Sequence, residues 1–261
     1  MTDLRFDEEA AKGLLAVYVT PDVVAQRAQF LRALEPRAGE RVLDVGSGPG
    51  FLAAAIAEAT GSSGLVCGVD ISEPLLSAAR KHCAHLPWVE FRLADATQLP
   101  FPDQHFDAAI STQVLEYVRD IDVALAEIHR VLRPGGRTVI ADTDWDSIVW
   151  HSPNRERMNR ILAAWEQHAA DVRLPRTLAN KLAGAGLHVQ SQQILPLFNP
   201  SYDPNTYSNR IIDLIVRFVT GRNGITHDEA EGWAQELRQA GERGEYFFSL
   251  NRYLFVARKD S

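Results

Sequence analysis

The stretch Arg41-Val42-Leu43-Asp44-Val45-Gly46-Ser47-Gly48-Pro49-Gly50 constrains this chain most. Its apolar, β-branched beginning reads as a buried strand, and it runs into three glycines at alternate positions. Phe51 to Ala59 follows, alanine-rich and without an internal breaker, and reads as a helix. Glycine in such a turn lets the backbone bend without a Cβ clash and come close to a ligand. In an open α/β sheet, the end of the first strand is where a nucleotide-like ligand sits. The spacing also separates ligand classes. A dinucleotide turn wants G-x-G-x-x-G, whereas here Phe51 holds the third glycine's place and the extra glycine is Gly50. Asp44 stands two residues before the first glycine. A carboxylate at that strand end repels a pyrophosphate and suits an ammonium or sulfonium group.

At 261 residues the chain is long enough for one α/β domain with a cap and an adequate core. A formal net charge of −7 with no basic block argues against a nucleic-acid partner. Cys67 and Cys83 fall in an expected strand and an expected helix, and two cysteines make no disulfide framework. No basic segment followed by an apolar one opens the sequence, and no apolar run reaches membrane-spanning length. The expectation is a soluble, cytoplasmic protein, with a homodimer compatible with the reading.

Further landmarks follow in order. Thr20-Pro21-Asp22 reads as N-cap, first helical position and first-turn acid of a helix to about Leu34. Gly64 to Val69 is a second strand closed by Asp70 and Ile71. A carboxylate some twenty residues beyond the glycine turn can accept hydrogen bonds from ribose hydroxyls. Val89 to Ala94 is a third strand ending at Asp95-Ala96, and Phe106 to Ser111 a fourth, followed by Thr112 to Tyr117. A helix from Asp120 stops at Arg133-Pro134-Gly135-Gly136, and Thr138 to Ala141 is the fifth strand.

Val-Leu-Asp-Val-Gly-Ser-Gly-Pro-Gly resembles motif I of the class I S-adenosylmethionine-dependent methyltransferases, and the later landmarks keep that family's order. Residues 40–142 resemble it well, the N-terminal helices and final strands loosely. The broad group it looks like is the UbiE/methyltransferase-11-like one, with quinone-biosynthesis and natural-product enzymes. The resemblance implies a Rossmann-like, seven-stranded, mostly parallel sheet with helices on both faces and an antiparallel final hairpin. It implies S-adenosylmethionine as cofactor, S-adenosylhomocysteine as product and a small-molecule acceptor methylated at O, N or C. Carried onto this sequence, it places Asp44, Gly46, Ser47, Gly48, Gly50 and Ile71 around the cofactor, Asp70 at its ribose, and Asp95 and Ala96 at its adenine. Gln113 would face the methionyl part, and Tyr18, from the N-terminal cover, would line the pocket.

From Asp142 the resemblance thins. Asp142, Asp144 and Asp146 alternate, so an extended backbone puts them on one face and Trp145 on the other. Three readings are open: a hard-cation site, a base or anchor for a cationic substrate, or a solvated exit from the strand. Asp142, Asp144, Trp145 and His151 are thus the catalytic candidates, with His151 expected at the surface. No histidine has metal-ligand spacing with a cysteine, and no metal is expected. The expected organisation is an N-terminal helical cover (1–36), a cofactor-binding core (37–145), a helical extension (146–187), and the last two strands (188–261) with a helical cap inserted at 199–242. Asn251 and Arg252 are polar inside the final apolar strand and need hydrogen-bond partners if buried; structural pairing is the expectation, and substrate contact the alternative, because the other strand termini converge nearby. Other readings are a protein or RNA methyltransferase, a nicotinamide oxidoreductase, and a non-catalytic protein that binds S-adenosylmethionine.

Overall fold

The computed structural model describes residue 13 and residues 15–261. Helix α1 (Pro21–Leu34) leads into β1 (Arg41–Val45), α2 (Phe51–Thr60), β2 (Leu65–Asp70), α3 (Glu73–His82), β3 (Val89–Leu93) and β4 (Phe106–Thr112). After a 3-10 turn at Leu115–Tyr117 come α4 (Ile121–Val131), β5 (Leu132–Trp150), α5 (Arg155–Trp165), α6 (Pro175–Gly184) and β6 (Leu187–Asn199). Helices α7 (Tyr207–Val219) and α8 (His227–Glu242) precede β7 (Phe248–Lys259). The strands form one sheet in the order β3-β2-β1-β4-β5-β7-β6. β1 to β5 are parallel, and β7 runs antiparallel between β5 and β6.

Strand alternation divides the core. Val42, Val66, Ile110 and Val139 pack with α1 and α2 on one face, while Leu43, Cys67, Ala109 and Ile140 pack with α4 and α6 on the other. Both faces are therefore covered, which is why β1 and β4 read as continuous apolar runs. A third cluster lies beyond the carboxyl ends of the strands. There Trp145, Trp150, Phe248 and Leu250 meet the inward residues of α5, α7 and α8. α7 turns Ile211, Ile212, Ile215, Val216 and Val219 inward, the spacing of an amphipathic helix.

Two local expectations change. The fifth strand does not stop at Ala141. It continues through Trp150, pairing Asp142 with Tyr253, Thr143 with Arg252 and Asp144 with Asn251, so the acidic segment is sheet, not a solvated exit. Thr20 occupies the N-cap of α1, but its hydroxyl donates to the carbonyl of Val17 (2.9 Å) and caps nothing. The neighbouring acid works at a distance. Asp22 Oδ2 accepts from the Tyr207 N–H (2.9 Å) at the start of α7 and from Asn199 Nδ2 (3.1 Å), which ties the N-terminal cover to the cap. Among the described residues, no helix is long and apolar enough to cross a membrane.

Candidate functional site

The site runs along the carboxyl ends of β3, β2, β1 and β4, the edge where this topology exposes its backbone turns. Its centre is the turn after β1. The N–H groups of Gly46 and Ser47 both donate to the carbonyl of Val69 (2.8 and 2.9 Å), which folds the turn back onto β2. Gly46 has φ +73°, and a Cβ there would lie 2.1 Å from Val114 Cγ2, so only glycine fits. Gly48 has φ +51° and faces the hydroxyl of Tyr18, 3.6 Å from where its Cβ would be. Its N–H donates to Asp70 Oδ2 (2.9 Å), and Ser72 N–H donates to Oδ1 (2.9 Å). Asp70 is thus a brace for the glycine turn as well as a ribose candidate, and each of its oxygens keeps acceptor capacity. Gly50, at φ +80°, forms the N-cap of α2.

Electrostatics single out Asp44. It is 2% exposed, and burial, with Asp70 as the nearby like charge, pushes its carboxyl up to about 7. Asp44 Oδ2 and Ser47 Oγ are both buried without a hydrogen-bond partner. Such groups cost free energy unless something fills their needs. A cation with N–H donors meets Asp44's requirement, so the residues fit an ammonium-bearing ligand at this strand end. On the side of β2 and β3 the edge is open. Ile71 is 61% exposed beside Asp70, while Asp95 Oδ1 accepts from the Thr97 N–H (2.8 Å) and hydroxyl (2.7 Å), with Ala96 buried behind it.

On the other side the edge closes into a cavity of about 130 Å³. Among the expected residues, Tyr18, Asp44, Gly46, Ser47, Gln113 and Trp145 line it. Gln113 holds a left-handed conformation (φ +58°). Its backbone N–H and Nε2 both donate to the Ala141 carbonyl (2.7 and 3.1 Å), and its Oε1 accepts from the Thr143 hydroxyl. Tyr18 reaches over the turn toward Phe51, with its phenol pushed up to about 12 chiefly by burial. Residues 1–12 and 14 of the expected N-terminal cover lie outside the described residues.

The remaining candidates do not meet the cavity. Asp142 is buried, with Oδ1 accepting from the Val114 (3.1 Å) and Glu116 (3.5 Å) N–H groups, so it anchors the loop after β4. Asp144 takes a two-pronged contact from Arg176 (2.9 Å to each oxygen), and Asp146 binds Arg173 (2.6 Å) and Arg176 (3.0 Å). The alternation did put these acids opposite Trp145; Asp144 and Asp146 there meet α6 and the segment before it, and Asp142 meets the loop after β4. His151 is exposed, with its N–H bonded to the Phe247 carbonyl. None of Asp142, Asp144 and His151 lines the cavity. Among the described residues, no group of three His, Cys, Asp or Glu side chains is placed to hold a metal ion.

The cavity also contains Arg27, Tyr117, Trp165 and Tyr207, which were not foreseen as site residues, and Arg252, for which substrate contact was the alternative to structural pairing. Trp165 belongs to the core and to the wall at once. Its ring stacks on His168 (4.0 Å) and stands edge-on to Trp145 (5.7 Å). Arg252 carried the one local signal, a charge inside an apolar strand.

Fold and glycine turn together define the architecture of the class I methyltransferases. Residues 43–140 match the family model described as "Methyltransferase domain". It is 41% identical over 145 residues to an uncharacterized 37.1 kDa protein in a transposon of Streptomyces fradiae, covering 56% of this chain and 41% of that one. It is 44% identical over 107 residues to the 2-phytyl-1,4-naphtoquinone methyltransferase of Synechococcus elongatus, covering 40% and 46%. These matches thus span less than half the length of the curated relatives. In structure, phosphoethanolamine N-methyltransferase 2 of Haemonchus contortus, in complex with S-adenosyl-L-methionine, aligns with a TM-score of 0.65 at 19% identity. That alignment covers 99% of this chain and 59% of that one.

Proposed function

We propose that the protein transfers the methyl group of S-adenosylmethionine to a small-molecule acceptor and releases S-adenosylhomocysteine. The observation that carries this is Asp44: a buried carboxyl with an unpartnered oxygen, beside a glycine turn and opening into the cavity. The cofactor supplies an electrophilic methyl carbon on a thioether leaving group. The protein's part is positional, because in-line displacement needs alignment more than it needs an acid or base.

In this reading Asp44 holds the amino group of the methionyl end, with Gln113 beside it. Asp70 takes the ribose hydroxyls on the far side of the turn, Ile71 covers one face of the adenine, and Asp95 and Ala96 meet its edge. The acceptor occupies the cavity between Trp145, Trp165 and Tyr207. Its enclosed, aromatic lining supports a small acceptor over a protein or RNA strand, for which an open groove is the expectation. The quinone relative supports a ring-containing acceptor without identifying one.

The test is methyl transfer itself. Protein and methyl-tritiated S-adenosylmethionine are incubated with panels of phenols, amines and quinols, and extracted products are counted. Labelled product that disappears with Asp44→Asn supports the proposal. Tight binding of S-adenosylmethionine with no turnover on any acceptor would point to a non-catalytic binding protein instead.

A further inference from the structure

Two arginines are buried in the sheet, and they are treated differently. Arg137, 7% exposed, donates through Nε to the Leu34 carbonyl (2.6 Å), through Nη1 to Glu40 Oε1 (2.8 Å), and through Nη2 to the Glu35 carbonyl and Glu40 Oε2 (2.7 Å each). Its charge is neutralised by a carboxylate, as a buried guanidinium requires. Arg252 is 5% exposed and has no such partner. Its Nη1 donates to Gln26 Oε1 (2.6 Å), its Cζ lies 5.0 Å from the centre of the Tyr207 ring, and its Nε is buried without a hydrogen-bond partner. Among the described residues, no carboxylate is within ion-pair distance of it.

The side chain that bonds Arg252 brings no charge. Gln26 is locked in place by its own Nε2 bond to the Leu195 carbonyl (3.1 Å), so it offers Arg252 a neutral oxygen only. Glu116 and Asp142 lie close enough for Arg252 to favour their charged forms, but burial pushes them up to about 8 and 7, with the Asp142 charge adding to the rise at Glu116. Both are already bonded to backbone N–H groups of the β4 and β5 ends. Arg252 nevertheless lines the cavity, which it shares with Trp145, Trp165 and Tyr207 and with Asp44, Gly46 and Ser47 of the turn. Arg27 stands at the turn itself, over the Phe51 ring (4.8 Å), with Nη2 donating to the Tyr18 carbonyl (2.6 Å).

We infer that Arg252 forms a carboxylate-binding subsite, and that the acceptor is a small planar aromatic acid whose carboxylate completes the arginine's hydrogen bonds. This rests on the methyl-transfer reading of the adjoining turn. Trp145, Trp165 and Tyr207 give this part of the cavity flat apolar surfaces that suit a planar ring. The aromatic walls stack on that ring while the guanidinium fixes its acid end, orienting the opposite edge toward the glycine turn.

Calorimetry of the protein saturated with S-adenosylhomocysteine tests this, using benzoate and benzamide as probes of equal shape. Benzoate should bind at least about tenfold more tightly than benzamide, the value of one charge-assisted hydrogen bond. Arg252→Met should remove that preference, and Arg252→Lys should keep part of it. Affinity for S-adenosylhomocysteine, measured first on each protein, should change less than about twofold. Equal binding of the two probes by the unmodified protein overturns the subsite, whatever the variants do. A large loss of S-adenosylhomocysteine affinity in Arg252→Met, with no probe preference, assigns the arginine to the cofactor's own carboxylate and also overturns it. Failure of S-adenosylhomocysteine to bind the unmodified protein rejects the underlying reading instead.

Discussion

The two halves of the site are built on opposite plans. The glycine-turn half is made of neighbours in sequence: Asp44 to Gly50, then Asp70 and Asp95 on the next strand ends. Its key contacts start from backbone N–H groups, Gly46 and Ser47 donating to the Val69 carbonyl and Gly48 to the Asp70 carboxylate. The cavity half is assembled from side chains of α1, β5, α5, α7 and β7, drawn from Arg27 to Arg252. A backbone-built site depends on which residues permit the conformation, whereas a side-chain-built site depends on how distant elements pack. Substitutions should therefore act on separate functions in the two halves.

The largest effect should come from the turn. Gly46→Ala combines a clash with Val114 and an unfavourable φ, each costing on the order of 1–3 kcal/mol. We expect loss of S-adenosylhomocysteine binding by about 100-fold or more, with a lower melting temperature by calorimetry. Binding within a few-fold of the unmodified protein would break the contrast at its strongest point.

Asp44→Asn comes next, weakening S-adenosylhomocysteine by about 1–3 kcal/mol. The pH dependence carries the sign. In the free protein the Asp44 carboxyl is held up to about 7, so below that pH a bound ammonium must displace a proton. Affinity should fall as pH drops from 8 to 6, and Asp44→Asn should flatten this profile. A flat profile in the unmodified protein would remove Asp44 from the ligand's contacts. Asp70→Ala should cost a similar 1–3 kcal/mol, part of it from the freed Gly48 N–H. Unchanged affinity rejects the ribose assignment.

How legible each half was in the sequence follows from the same contrast. The strand-turn-helix of motif I is written in a dozen consecutive residues, and Asp70 and Asp95 follow at the ends of recognisable strands. The acids after Ala141 were a harder case. Alternation gave their common face, but what meets that face, Arg173 and Arg176 and the loop at Val114–Glu116, is set by packing. The fifth strand was read as ending where its apolar run ends. It continues because β7 supplies partners as far as Phe248. Arg27 and Tyr207 looked like any helical residues, and nothing local sets them apart from core or surface positions.

Smaller effects belong to the cavity half's foundations. Glu116 and Asp142 are carboxyls whose folded values, about 8 and 7, lie above the ordinary range. Their contribution to stability is complete below about pH 4 and is lost as pH rises through 7 and 8. The melting temperature should fall between pH 6 and 9, and Glu116→Gln should reduce that fall. A steeper fall in the variant contradicts the assignment. Asp144→Asn weakens its contact with Arg176, whose side chain is half exposed. Stability should drop by no more than about 1 kcal/mol, read from urea unfolding. Methyl transfer should persist, and its loss would return Asp144 to the list of catalytic groups.

The central claim is that the glycine turn is built for a cationic nucleoside and not for a pyrophosphate. Parallel calorimetric titrations with S-adenosylmethionine, S-adenosylhomocysteine and NADH test it most directly. The account predicts micromolar binding of the first two and none of the third. Binding of NADH without either of the others would contradict it.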